Sequence, residues 1–269
     1  MITILGASGF IGSHLVKRLR QYKLEFQALG RDDSLPATNL GRVIYCIGLT
    51  ADFRSHPFET VEAHVSTLLD LVRNCEFDSL LYLSSTRLYA GSNSSVEEQS
   101  LCVSPHQAND LYNISKLMGE SITLNCGRTG RVARIANVYG PDFKSDNFLP
   151  SVLRQVVKGE RTVLQTAPDS EKDYVWIVDV VEQLIWIAAE GKEQIYNVAS
   201  GVNVSNRELA ENLRQLTSCE IEFAPQAPVI RFPRITVDRV RREFGFVPSK
   251  LLPDLSWLVQ LYKEQSSSP

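Results

Sequence analysis

The chain has 269 residues, enough for a deep core in one large domain or in two that share an interface. Its 28 Lys and Arg stand against 31 Asp and Glu, a net charge of -3, which argues against a surface built to bind nucleic acid. The five cysteines (Cys46, Cys75, Cys102, Cys126 and Cys219) are odd in number and lack paired spacing, so no metal site is expected, and they read as reduced thiols of a cytoplasmic protein.

In chain order, residues 1–5 form an apolar run with no leader before it, so the fold is expected to start at Met1. Gly6-Ala7-Ser8-Gly9-Phe10-Ile11-Gly12 then sits between that strand and a helix over residues 11–21, the position that gives such a motif meaning. Gly6 takes a tight turn, Gly9 admits a pyrophosphate close to the backbone, and Gly12 lets helix and strand pack. Free amides at the helix start face phosphate charge, so Gly6, Ser8, Gly9, Phe10, Ile11 and Gly12 are candidate dinucleotide contacts.

A second strand is expected over 24–29, and the acid that grips a ribose diol belongs near its end. Gly30 and Arg31 stand there, and the Arg31 guanidinium suits a 2′-phosphate, which favours NADP, while Asp32 and Asp33 leave NAD open. Further strands are expected over 42–47, 79–83 and 130–135, and helices over 57–74 and 109–125, where apolar residues recur at three- and four-residue spacing. The alternation predicts an α/β fold, a Rossmann-type doubly wound parallel sheet with helices on both faces.

Leu83-Ser84-Ser85-Thr86 places hydroxyls at the end of a central strand, and Tyr112 and Lys116 lie one turn apart on a helix. Ketone reduction or alcohol oxidation needs a proton donor or acceptor at oxygen while hydride moves at carbon. Tyr112 is the expected acid/base, Ser85 the group that orients the oxygen, and Lys116 the cation that lowers the phenol pKa and holds the cofactor ribose. Tyr112 and Lys116 thereby count among the cofactor contacts too.

After Tyr139 the pattern breaks at Gly140-Pro141. Residues 175–178 read as a further sheet strand and are followed by a helix to Ala189; this apolar stretch is interrupted by Asp179, Glu182 and Gln183, so no membrane span is expected. The remainder is rich in Pro and Arg, and residues 266–269 read as a disordered tail. The expected division is a dinucleotide-binding domain of residues 1–140 and 173–198 and a smaller, substrate-binding C-terminal lobe of residues 141–172 and 199–269.

The glycine turn, the S-x-x-x-Y of Ser85 and Tyr89, and the Y-x-x-x-K of Tyr112 and Lys116 resemble the extended short-chain dehydrogenases, the NAD-dependent epimerase/dehydratase family of nucleotide-sugar enzymes. Arg134-Ile135-Ala136-Asn137-Val138-Tyr139-Gly140-Pro141, Asp173-Tyr174-Val175, Tyr196-Asn197-Val198-Ala199-Ser200-Gly201 and the segment from Arg234 are similar to later motifs of that family. The resemblance implies NAD or NADP as cofactor and a nucleoside diphosphate sugar as partner, with Thr86, Asn137, Lys172 and Arg234 contacting substrate. It further implies hydride transfer at a sugar carbon, by a 4-keto-sugar reductase or a 4-epimerase, and a possible homodimer through the helices at 57–74 and 109–125.

Four departures qualify the resemblance. Lys172 replaces the usual Arg, His64 falls where an Asn is usual and reads as a packed helix residue beside the cofactor, and residues 32–41 are too short for the usual strand and helix. Thr86-Arg87 replaces the acidic pair of the dehydratases, which argues against water elimination. Two other readings stay open: a regulatory protein that senses a dinucleotide without chemistry, and an NADP reductase of a non-nucleotide carbonyl compound.

Overall fold

The computed structural model describes residues 1–30, 33–36, 39–51 and 53–267. Arg31 and Asp32, to which the sequence assigns cofactor selection, lie outside the described residues.

In chain order the elements are β1 (Ile2–Leu5), α1 (Phe10–Gln21), β2 (Phe26–Leu29), β3 (Arg42–Tyr45), α2 (Pro57–Val61), α3 (Thr67–Asn74), β4 (Ser79–Ser85), α4 (Asp110–Leu124), β5 (Thr129–Ile135) and β6 (Asn137–Tyr139). There follow α5 (Phe148–Val157), β7 (Thr162–Leu164), β8 (Glu171–Trp176), α6 (Ile177–Glu190), β9 (Ile195–Val198), β10 (Asn203–Ser205), α7 (Asn206–Thr217), β11 (Ile221–Phe223), α8 (Asp238–Phe244) and α9 (Leu251–Ser267). A π turn over Glu62–Ser66 joins α2 to α3, so the expected helix at 57–74 is continuous but bulged.

Six parallel strands form the central sheet in the order β2-β1-β3-β4-β5-β9. Side chains alternate across a strand, and here both faces are apolar, the signature of a parallel sheet covered on both sides. Ile4, Ile44, Leu81 and Leu83 pack with α1 and α6 through Leu15, Leu19, Val180 and Leu184. Leu5, Val43, Tyr45, Leu80 and Tyr82 face the other way, onto Leu68 and Leu71 of α3. The strand order reverses between β2-β1 and β1-β3, which opens a crevice beyond the carboxyl ends of β1 and β3. β2 is the edge strand on its side, so the short 30–41 connection leaves the sheet, among the described residues, without a further outer strand.

The sixth central strand is β9, from the segment read only as a motif, whereas the apolar run expected to extend the central sheet, 175–178, lies elsewhere. β8 ends at Trp176, pairs with β6 and β10 in a separate three-stranded sheet, and gives way to α6 at Ile177. A short apolar run does not reveal which sheet it joins. A further core, with Leu149, Leu153, Leu209, Leu213, Leu255 and Leu258, gathers α5, α7 and α9. Ser266 and Ser267, expected in a disordered tail, are the last residues of α9, their hydroxyls donating to the carbonyls of Tyr262 and Lys263; Ser268 and Pro269 lie outside the described residues.

Candidate active site

The candidate site lies along the carboxyl edge of the central sheet. Gly6, just past β1, adopts φ +79°, and a Cβ there would stand 3.0 Å from the backbone of Cys46 and Ile47 beyond β3. At Gly12 an added Cβ would fall 2.2 Å from the Gly6 carbonyl oxygen, so no side chain fits while α1 packs on the turn. Ser8 and Gly9 are exposed, and the first turn of α1 carries no acidic residue. The first-turn amides have no acceptor inside the helix, so the turn offers donors without competing negative charge. These residues fit a dinucleotide pyrophosphate.

Ser85 ends β4 and caps a short 3-10 turn, its Oγ accepting the Arg87 N–H at 3.2 Å. From α4, Tyr112 reaches the same edge and is 4 % exposed. Burial raises its phenol above the ordinary value of 10.0, while a hydrogen bond with the Ser85 hydroxyl and the charge of Arg87 pull it down. The structure therefore brings Ser85 and Tyr112 together.

Lys116 differs from expectation. Its Nζ donates to the Leu83 carbonyl at 2.8 Å and rests 4.9 Å from the Tyr82 ring centre. Burial brings this ammonium down to about 7, against Glu120 and Cys46, which raise it. The phenol of the free protein is thus raised, not lowered, and the cation that acts on it is Arg87, whose guanidinium carbon lies 5.4 Å from the Tyr112 ring centre. Sequence reasoning treated Arg87 only as a missing acid; its place two residues after Ser85 was the available signal.

His64, in the π turn, is fully buried, with its ring edge-on to Tyr112 at 5.3 Å. Its Nε2 accepts the Leu49 N–H at 3.3 Å, so the ring proton sits on Nδ1 and is donated to Ser115 Oγ at 2.8 Å; Ser115 in turn donates to the Tyr112 carbonyl at 2.9 Å. Burial, then the Lys116 charge, holds the imidazole down at about 2. A ring in this state is a brace for α4 and is unfit to act as a base near neutrality.

The NAD dependent epimerase/dehydratase family model matches residues 2–58 and 38–199. The chain belongs to this family. It is similar to the GDP-6-deoxy-D-mannose reductase of Pseudomonas aeruginosa, 29% identical over 270 residues that cover 88% of this chain and 86% of the relative. Among solved structures it resembles MoeE5 in complex with UDP-glucose and NAD, at TM-score 0.83 and 21% identity, covering 99% of both chains. It also resembles RMD from Pseudomonas aeruginosa complexed with NADPH, at TM-score 0.80 and 23% identity, covering 98% of this chain and 99% of the other.

Several family motifs turn out to build the site. Arg134 makes a buried bidentate ion pair with Glu120 of α4, Nε to Oε1 at 3.0 Å and NH2 to Oε2 at 2.7 Å, and also donates to the Tyr89 hydroxyl at 2.8 Å. Ser84 Oγ donates to the same Glu120 at 2.5 Å, and Tyr89 donates to Asn197 of β9 at 2.9 Å. The network ties β4, β5, β9 and α4 beneath Ser85 and Tyr112. Glu120 was missed; an acid one turn beyond Lys116 on the inward face of α4 was its signal.

Asp173 is buried and clamps the Ser200-Gly201-Val202 turn by accepting from the Ser200 N–H and hydroxyl and from the amides of Gly201 and Val202. Burial pushes its carboxyl up to about 6 despite those bonds.

The expected substrate residues divide. Asn137 is exposed, with Nδ2 donating to the Asp173 carbonyl at 2.9 Å, and Lys172 lies 4.5 Å from the Phe148 ring centre, its ammonium lowered by burial and by Arg87. Arg234 is exposed and donates from Nε to the Gly201 carbonyl at 2.5 Å. Thr86 is buried, its hydroxyl aimed at the Ile135 carbonyl at 3.5 Å rather than outward. No helix among the described residues is long and apolar enough to cross a membrane, and no cluster of metal-ligating side chains occurs among them.

Proposed function

We propose that this enzyme transfers hydride between a nicotinamide cofactor, NAD or NADP, and a carbon of a nucleotide-activated sugar, as a 4-keto-sugar reductase or a 4-epimerase. The observation that carries the reading is the meeting of Ser85 and Tyr112, from two different elements, on the sheet edge that also carries the glycine turn. The bound cofactor supplies or takes the hydride. Ser85 orients the sugar oxygen, and Tyr112 gives it a proton as it gains electron density. Because burial keeps this phenol protonated at neutral pH, the site is primed as an acid, which supports the reductase direction.

In this proposal Lys116 holds the cofactor ribose, Gly6, Ser8, Gly9, Phe10, Ile11 and Gly12 cradle the pyrophosphate, and Asn137, Lys172 and Arg234 receive the nucleotide diphosphate. Asp33 accepts the Gly30 N–H at 2.7 Å past the end of β2, an acid suited to the ribose diol of NAD, whereas Arg31 supports NADP. The reading includes the division at residues 1–140 with 173–198 and 141–172 with 199–269, and a cytoplasmic setting suited to free cysteines. It also includes a homodimer through α2 to α4, supported by Phe58 at 84% and Met118 at 51% exposure.

The test is incubation with reduced cofactor deuterated at the transferable position and a panel of nucleoside diphosphate 4-keto sugars. Deuterium is expected on the sugar carbon by mass spectrometry. A product that never carries the label removes the reductase reading, and a nucleoside diphosphate sugar deuterated at C4 that neither epimerises nor passes its label to the cofactor removes the 4-epimerase reading.

A further inference from the structure

Arg87 stands in an unusual electrostatic setting. Its guanidinium carbon lies 4.8 Å from the Phe53 ring centre and 5.4 Å from that of Tyr112, and Arg54 covers Phe53 too, at 4.6 Å. Burial lowers the Arg87 pKa, and Arg54 adds to this, against Tyr112 and Asp110. Lys172 is close enough for the charge of Arg87 to lower it in turn.

Three cations therefore share one end of the site, and none of them forms an ion pair with a carboxylate among the described residues. Asp110, the acid that acts on Arg87, has its oxygens engaged by the Ser104 N–H and the Asn113 amide at 2.8 and 2.7 Å. Arg54 is exposed and donates to Asn109 Oδ1 at 2.7 Å, but Arg87 and Lys172 are half-buried, and half-buried like charges without counter-ions are costly, a cost that a bound anion relieves.

Position identifies which anion. Arg87 is tied through its N–H to Ser85, the hydroxyl assigned to the reacting sugar oxygen, and its side chain lies over Tyr112. In the proposed reading a sugar oxygen held by Ser85 and Tyr112 brings the ring substituents toward this guanidinium, whereas Asn137 and Arg234 are assigned to the diphosphate. A guanidinium matches a carboxylate with two parallel hydrogen bonds. We propose that Arg87 receives a carboxylate on the sugar, so that the substrate is a nucleotide-activated acidic sugar of the uronate type. The inference rests on the nucleotide-sugar reading above and narrows it.

Titration calorimetry in the presence of NAD tests it with matched pairs that differ only in the acid: UDP-glucuronate against UDP-glucose, and the corresponding dTDP and GDP pairs, with each nucleoside diphosphate alone. Whichever base binds, the acidic sugar is expected to bind at least about tenfold more tightly than its neutral partner. Arg87→Met brings that ratio to near one, and Arg87→Lys keeps part of it; thermal melting reports that both variants fold. Wild-type protein that binds both members of a pair alike overturns the inference while leaving the nucleotide-sugar reading in place. So does an Arg87→Met variant that weakens the acid, the neutral sugar and the nucleoside diphosphate equally, because the guanidinium then serves the diphosphate. Failure to bind any nucleotide sugar sinks the parent reading and this inference with it.

Discussion

At His64 a residue that titrates near neutrality in water is held neutral by its surroundings. The linkage has a definite sign. The imidazole is lowered in the fold from 6.5 to about 2, so between those values the unfolded chain binds a proton that the folded chain does not. Stability from this group is fully present above about pH 6.5 and is lost as the pH falls toward 2. Over pH 4.5–6 it contributes a slope of about 1.4 kcal/mol per pH unit. His64→Asn is expected to make the acid limb of stability shallower by about one proton, measured as urea unfolding free energy against pH. An unchanged slope contradicts the neutral buried ring. The sequence shows a His where an Asn is usual and predicts a packed residue, but the π turn that aims its ring at Leu49 and Ser115 depends on tertiary packing that no local pattern encodes.

Among elements, the strongest dependence runs through Arg134 of β5 and Glu120 of α4. Both side chains are buried, and their pairing with Ser84 and Tyr89 fixes how α4 presents Tyr112 to the end of β4. Removing one partner strands the other charge in the core, so Arg134→Met is expected to cost about 3–5 kcal/mol in chemical denaturation. A loss under about 1 kcal/mol contradicts the assigned role. Most elements around the site are legible because glycine turn, helical period and apolar runs agree at each step. β8 and β9 are not. Their short apolar runs are equally at home in either sheet, and the choice is made by long-range pairing of β8 with β6 and of β9 with β5. Residue identity likewise announced Tyr112 and Lys116, but not that Lys116 bonds Leu83 while Arg87 faces the phenol.

In the molecule as a whole, a glycine turn after β1, a hydroxyl at the end of β4 and a phenol from α4 meet at one sheet edge, above cores that hold each element in register. Motifs distant in sequence serve that convergence, Asp173 by anchoring the Ser200 turn and Asn197 by receiving Tyr89. The most direct measurement compares Tyr112→Phe with wild-type protein, following turnover of a nucleotide sugar alongside cofactor affinity. With Tyr112 in the proposed role of proton donor, loss of its hydroxyl is expected to lower kcat by about 10²–10⁴-fold while cofactor Kd stays within about threefold. Turnover that survives at the wild-type rate in this variant contradicts the account.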